Sequence, residues 1–268
     1  PAERLTLIGD NASPIPWPTL LTGMFLIQIF YWSTNQTITQ RAMAAPTVKE
    51  AQKGVYAAAF IRVVFIPSMV VIPGIVAFKL YGDIGDQAYG RIVGDLLPGW
   101  LSGIFAAAIA AAVLSSFNSM VNSSAAMYVC DLHEAYINDK PNLRLLSGVA
   151  TAIFVIIAVS MVPIYAQSDS IINLLQELWG LISMPILACF AVGLLFRNVD
   201  YRAAIAAVII GVLMYAGFIW LWMPLHYIHM SFFTFLTCVA MALLINRFGL
   251  GKKAEFIGLQ KEQLQRAV

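Results

Sequence analysis

The residues with the most chemical potential are polar groups set inside otherwise apolar helical stretches. One stretch starts as hydrocarbon, with Leu20, Leu21, Met24, Phe25, Leu26 and Ile27. It then carries Gln28, Tyr31, Trp32, Ser33, Thr34, Asn35, Gln36, Thr37, Thr39, Gln40 and Arg41. Polar groups at bilayer depth are costly unless they face a protein interior or an aqueous cavity, so such a span lines a path for something polar. A second stretch has small residues at 106–112 that let helices approach closely. It runs into Ser115, Ser116, Asn118, Ser119, Asn122, Ser123 and Ser124. The Ala112 carbonyl and the hydroxyls of Ser115 and Ser116 fall within about one helical turn, and oxygens of this kind bind a hard cation such as Na⁺. The same serines can instead bond back to carbonyls four residues earlier or glue helices together.

Ionisable groups inside spans are few. Arg62 lies about 14 residues into its span, roughly 21 Å along the axis. A midplane Arg costs on the order of 2.5–3.5 kcal/mol on insertion scales, and it cannot shed its charge. Glu177, preceded by Gln176, is the nearest unexplained carboxylate by depth. An Arg62–Glu177 pair and a solute-binding role both satisfy the guanidinium. The His226-Tyr227-Ile228-His229 run has metal-like spacing, but beside Trp222 and Pro224 it reads better as an interfacial aromatic belt. Asp131-Leu132-His133-Glu134 ends its span and reads as a solvated or loop-pinning face. No serine has a plausible His and Asp partner at its depth, so no hydrolase is expected. Two of the three sequons, at Asn11, Asn35 and Asn122, fall inside spans, which makes them chance matches.

The elements that position these groups follow from composition. Hydrophobic residues make up 60% of the chain and charged residues 11%, where a soluble domain carries about a quarter charged. Mean hydropathy is +0.79. The net charge of +2 gives no basis for nucleic-acid binding. Cys130, Cys189 and Cys238 read as free, small hydrophobes. Seven segments approach or exceed the roughly 20 residues needed to cross hydrocarbon: A (19–45), B (48–81), C (99–136), D (143–165), E (171–196), F (201–223) and G (229–247). Residues 87–97 form a helix too short to span. Thr47 with Glu50 makes a capping box for B, Asp200 caps F, and Pro67, Pro73 and Pro185 kink B and E. The tail from Gly249 is basic, short and helix-compatible.

Basic residues give the orientation. Arg41, Lys49, Lys53, Lys140, Arg144, Arg197, Arg202, Arg247, Lys252, Lys253, Lys261 and Arg266 alternate in topology with loops holding only Arg4, Lys79 and Arg91. By the positive-inside rule the start of A is outside and the C-terminal tail is cytoplasmic. The chain opens at Pro1 without an initiator Met or signal peptide and reads as part of a longer protein.

With these residues in place, the chain resembles the sodium:solute symporters, of which the sodium–glucose cotransporters are one branch. The resemblance rests on Phe30-Tyr31-Trp32-Ser33-Thr34-Asn35-Gln36, Gln40-Arg41-Ala42-Met43-Ala44-Ala45 and Glu50-Ala51-Gln52-Lys53-Gly54. It continues in Ala112-Val113-Leu114-Ser115-Ser116-Phe117-Asn118-Ser119, in Asp131, and in Gln176-Glu177 with Gly180, covering most of residues 28–197. It implies an all-α polytopic membrane protein with a core of two inverted five-helix repeats and a midplane site. Residues 1–18 would be an extracellular segment and 19–197 the second repeat of a LeuT-type core. Residues 198–248 would be two peripheral helices and 249–268 a cytoplasmic tail. By the same resemblance Ala112, Ser115 and Ser116 match sodium-site positions, and Gln28, Arg62 and Gln176 match sugar-binding positions. Tyr31 matches the aromatic gate, with Trp32 beside it, and Glu177 is a possible charge partner of Arg62.

The implied activity is sodium-coupled symport of a small polar solute, a sugar or polyol, across a plasma or bacterial inner membrane, with Na⁺ as coupling ion and no cofactor. The partners would be the solute, sodium, the bilayer and an N-terminal repeat absent from this sequence. The sugar members typically have Asn where Gln28 stands and Lys where Arg62 stands. A planar Arg fork suits carboxylates, so an organic-anion symporter is the alternative. A transporter-like sensor without flux is the alternative from another class.

Overall fold

The computed structural model describes residues 15–167, 171–222 and 225–258. The expectations for Arg4, Asn11, the end of span F at Met223, Pro224, Lys261 and Arg266 lie outside the described residues. Among those described, six helices are long and apolar enough to cross a membrane: Val48–Tyr81, Gly99–Tyr136, Leu143–Ala166, Leu174–Leu195, Tyr201–Trp220 and Tyr227–Gly249. They correspond to spans B to G, and the chain is an all-α polytopic membrane protein.

Span A departs from the expected continuous helix. A 3₁₀ turn at Trp17–Leu21 leads into helix α1 (Gly23–Ser33), and after a break helix α2 (Gln36–Met43) begins. The apolar part, Gly23–Ser33, is too short to count as a seventh span. At the break, side chains meet helix-end carbonyls. The Ser33 hydroxyl donates to the Ile29 carbonyl at 2.5 Å and the Thr34 hydroxyl to that of Phe30 at 2.8 Å. Both side chains thus supply last-turn carbonyls, and Thr34 leaves helical geometry at φ −123°, ψ −12°.

The described residues form two compact units. The first runs Gln36–Ile171 and holds α2, α3 (Val48–Tyr81), α4 (Ala88–Leu96), α5 (Gly99–Ala126), α6 (Glu134–Tyr136) and α7 (Leu143–Ala166). The Thr47 hydroxyl caps α3 by accepting from the Glu50 N–H at 3.3 Å. The Glu50 carboxylate does not reach back to complete the box and instead pairs with Lys53 at 2.7 Å. Helix α3 passes through Pro67 and Pro73 without ending and stops at Gly82, whose φ of 78° excludes further helix. The short α4 matches the expected non-spanning helix, with an Arg91–Asp95 pair at 3.7 Å and Arg91 over the Tyr81 ring. Helix α5 continues into a π-helical turn, Met127–His133, before α6. Ala125, Val129 and Ala150 make the buried contact between this element and α7.

The second unit takes in the described residues up to Asn35 and from Ile172 on. It holds α1, α8 (Ile171–Leu195), α9 (Tyr201–Trp220) and α10 (Tyr227–Leu244). Its core joins Leu26 and Ile27 of α1, Met184 and Leu187 of α8, and Tyr227 and Ile228 of α10. Gly211 of α9 sits where three helices meet: a Cβ there would overlap the Cys238 sulfur and crowd the Pro185 ring.

One end of this unit is closed by a device the sequence reading did not contain. Strands β1 (Phe196–Arg197) and β2 (Glu255–Phe256) pair antiparallel, Phe196 opposite Phe256 and Arg197 opposite Glu255. The described tail is therefore extended and not helical. Gly251 and Gly258 adopt φ of 67° and 64°, and the Ile257 and Gly258 N–H groups donate to the Leu195 carbonyl. Asn246, fully buried, is the hub. Its amide donates to the carbonyls of Asn198 and Lys252 at 3.0 and 2.9 Å and accepts from the Asp200 N–H at 2.9 Å. Asp200 caps α9 through the Arg202 N–H, as expected, and pairs with Lys252 at 2.7 Å. The Lys252 hydrogen bond first, and the Arg202 N–H second, hold the Asp200 carboxyl below its ordinary range.

Two outcomes follow from this ribbon. Asn246→Ala orphans buried groups worth about 1–3 kcal/mol each, so a spin label at Lys253 in the full-length protein becomes mobile. A depressed carboxyl stabilises above its unfolded value, near 3.9, and that contribution is lost as pH falls through the lower folded value. Label mobility should therefore rise on acidification below about pH 4, and Asp200→Asn should remove this dependence.

Candidate functional site

The polar face of α1 carries Gln28, Tyr31 and Trp32. The Trp32 Nε1–H donates to Gln28 Oε1 at 3.2 Å, one turn back. An indole can only donate, so this contact fixes which end of the Gln28 amide is oxygen. The Tyr31 ring meets Trp32 edge-on, with centroids 5.2 Å apart and planes at 83°. It stacks on Trp179 of α8 at 5.9 Å and 26°. The gate candidate is thus seated between two aromatic rings, and Trp179 is a contributor that sequence reasoning missed. The available signal was its position three residues after Gln176, on the same helix face.

Gln176 and Glu177 lie on the first turns of α8, both partly buried. Gln176 Oε1 accepts from the Tyr227 hydroxyl at 2.8 Å. Tyr227 was expected only to join an interfacial aromatic belt. His229, in the same run, meets Thr22 through Nδ1 at 2.9 Å. Below Glu177 the helix presents Gly180, whose missing side chain admits the Tyr215 hydroxyl and Ser231. Those two hydroxyls lie 3.3 Å apart, and Ser231 donates to the Tyr227 carbonyl at 3.1 Å. The Ser183 hydroxyl bonds back to the Trp179 carbonyl.

The remaining candidates belong to the Gln36–Ile171 unit. Arg62 lies mid-helix on an exposed face of α3. On α5 the hydroxyls of Ser119, Ser123 and Ser124 bond back to the carbonyls of Ser115, Ser119 and Met120 at 2.9, 2.9 and 3.0 Å. For these serines the back-bonding alternative holds. Ser119 and Ser123 also bind α2, through Arg41 Nη2 at 2.7 Å and Gln40 Oε1 at 3.0 Å. The hydroxyls of Ser115 and Ser116 are exposed and make no hydrogen bond among the described residues. Their lone pairs, with the exposed Ala112 one turn earlier, are a set of hard oxygens. No group of three or more His, Cys, Asp or Glu among the described residues is arranged to hold a metal ion.

The six membrane-length helices define a polytopic membrane protein. The model of the sodium:solute symporter family matches residues 9–211, and the chain belongs to that family. It is 32% identical over 220 residues to an uncharacterized symporter, YidK, of Escherichia coli (strain K12), covering 80% of this chain and 38% of that protein. It is 35% identical over 212 residues to the sodium/glucose cotransporter of Vibrio parahaemolyticus, covering 71% and 39%. The sodium/myo-inositol cotransporter 2 of Homo sapiens is 27% identical over 225 residues, covering 75% and 33%. The chain spans about a third to two-fifths of the length of these relatives.

Gly180 offers a test of the packing beneath the glutamine. Gly180→Ala forces a methyl against the Tyr215 hydroxyl and should cost about 1–3 kcal/mol, as overpacking does, read as a lower melting temperature of the full-length protein in detergent. Tyr215→Phe in the same background should recover part of the loss.

Proposed function

We propose that this chain is the second-repeat portion of a sodium-coupled symporter for a small polar solute, a sugar or polyol, working by alternating access. Residues 19–197 form the repeat, 198–248 two peripheral helices and 249–268 a cytoplasmic tail. Ala112, Ser115 and Ser116 contribute oxygens to sodium. Gln28, Arg62 and Gln176 bind the solute, with Glu177 balancing the Arg62 charge. Tyr31, flanked by Trp32, closes over the solute. The rest of the site comes from an N-terminal repeat.

The observation that carries this reading is the α1–α8 cluster, in which Tyr31 lies between Trp32 and Trp179 and one of those rings also holds Gln28. Aromatic faces beside amide donors suit a ring bearing hydroxyls. Membership of the sodium:solute symporter family supports sodium as the coupling ion. The names of two relatives, a sodium/glucose and a sodium/myo-inositol cotransporter, support a polyhydroxylated solute. The guanidinium of Arg62 favours a second reading, a carboxylate solute bound bidentately.

Sodium-driven uptake by the full-length protein tests both. Ser116→Ala, and less severely Ser115→Ala, should raise the sodium half-saturation; unchanged values in both would leave the serines outside the ion site. Arg62→Lys keeps a point donor, so sugar or polyol uptake should persist. A loss of about 10-fold or more in affinity, corresponding to about 1.4 kcal/mol, would favour the carboxylate.

A further inference from the structure

We propose that Tyr227, at the start of the peripheral helix α10, is a positioning residue for solute recognition: its hydroxyl fixes the Gln176 amide so that the nitrogen is left to donate to the solute. The inference rests on the reading of Gln176 as a solute-binding residue. The Tyr227 hydroxyl donates to Gln176 Oε1 at 2.8 Å. A glutamine's terminal torsion is soft and roughly two-fold, so an unrestrained amide offers oxygen or nitrogen to a solute with little preference. A phenol hydroxyl can donate or accept; in the arrangement observed it donates to the oxygen, so the Gln176 nitrogen is the end left for the solute.

Tyr227 is itself held firmly. It is 5% exposed and packs in the core with Leu26, Ile27, Met184 and Leu187. Its ring lies 4.4 Å from that of His226, and its carbonyl accepts from the Ser231 hydroxyl. A hydroxyl on so fixed a ring locates its partner more precisely than one on a flexible chain.

The second glutamine repeats the arrangement independently. Gln28 Oε1 accepts from Trp32 Nε1–H, again an aromatic donor. Both amide oxygens are thus engaged by aromatic donors; the Gln28 nitrogen meets only the Met24 sulfur, a weak acceptor, at 3.9 Å and keeps a second N–H to donate. Such a set selects a solute that presents acceptor oxygens at these positions, and Tyr227 sets that polarity from outside the repeat.

The test uses the full-length protein, sodium-driven uptake of labelled D-glucose and myo-inositol as probes, and a double-mutant cycle. Tyr227→Phe keeps the ring and removes the hydroxyl. It should raise the solute half-saturation about 2- to 10-fold, as expected for one neutral hydrogen bond, with maximal rate and sodium half-saturation near wild type. In the Gln176→Ala background, Tyr227→Phe should add nothing. A wild-type half-saturation in Tyr227→Phe, or additive losses in the double variant, overturns the inference while leaving the solute site standing. A wild-type half-saturation in Gln176→Ala overturns the solute site and the inference with it. A solute-independent readout is a 3-fluorotyrosine at position 227, whose fluorine resonance should move in Gln176→Ala; an unmoved resonance overturns the inference whatever the protein carries.

Discussion

Hydrocarbon offers no hydrogen-bond partners, so an unsatisfied polar group within a span is costly; most of those described are met within the protein, the buried Thr234 hydroxyl of α10 being an exception. The arrangement of this molecule follows from that constraint. The carbonyls at the end of α1 are met by the hydroxyls of Ser33 and Thr34, and the helix breaks there. The serines of α5 from Ser119 onward are met by their own helix and by α2. Gln28 and Gln176 each find an aromatic donor for one end of the amide.

Satisfaction of this kind sorts structural polar residues from candidate functional ones. Ser119, Ser123 and Ser124 share a residue type and a helix with Ser115 and Ser116. Their hydroxyls are already engaged by carbonyls of their own helix, and Ser119 and Ser123 also tie α5 to α2. The same reasoning gives the aromatic residues two duties. Trp32 and Tyr227 supply a donor at one edge and apolar bulk elsewhere, which is why such rings are useful at a boundary between core and cavity.

Much of the architecture was legible in the sequence, because six spans are long, apolar and separated by polar loops, and because Thr47 and Asp200 announce helix starts. The break at Thr34 was not. Back-bonding hydroxyls occur both there and at Ser119–Ser124, yet α5 runs on and α1 stops, so residue type alone does not distinguish the two. The ribbon was invisible because Asn246 meets groups 46 and 48 residues away, and a lone asparagine near a helix end suggests nothing of the kind. At the candidate site, Gln28, Tyr31, Trp32 and Gln176 were found through motif resemblance. Trp179 and Tyr227 were passed over because their contacts depend on how α1, α8 and α10 pack, which no local pattern encodes.

The joints on α8 make three helices into a truss. At one end β1 leaves α8 and is stapled by β2 and Asn246 to the far end of α10. At the other, Gln176 is tied to the first residue of α10. About 28 Å of helix separates Gln176 from Leu195, so pivoting α8 by about 5° on the ribbon would carry the glutamine roughly 2.5 Å and sever its bond to Tyr227. Swinging α8 alone forfeits that bond, worth about 0.5–1.5 kcal/mol. Rocking α8 with α10, and with it α9, as one girder keeps it.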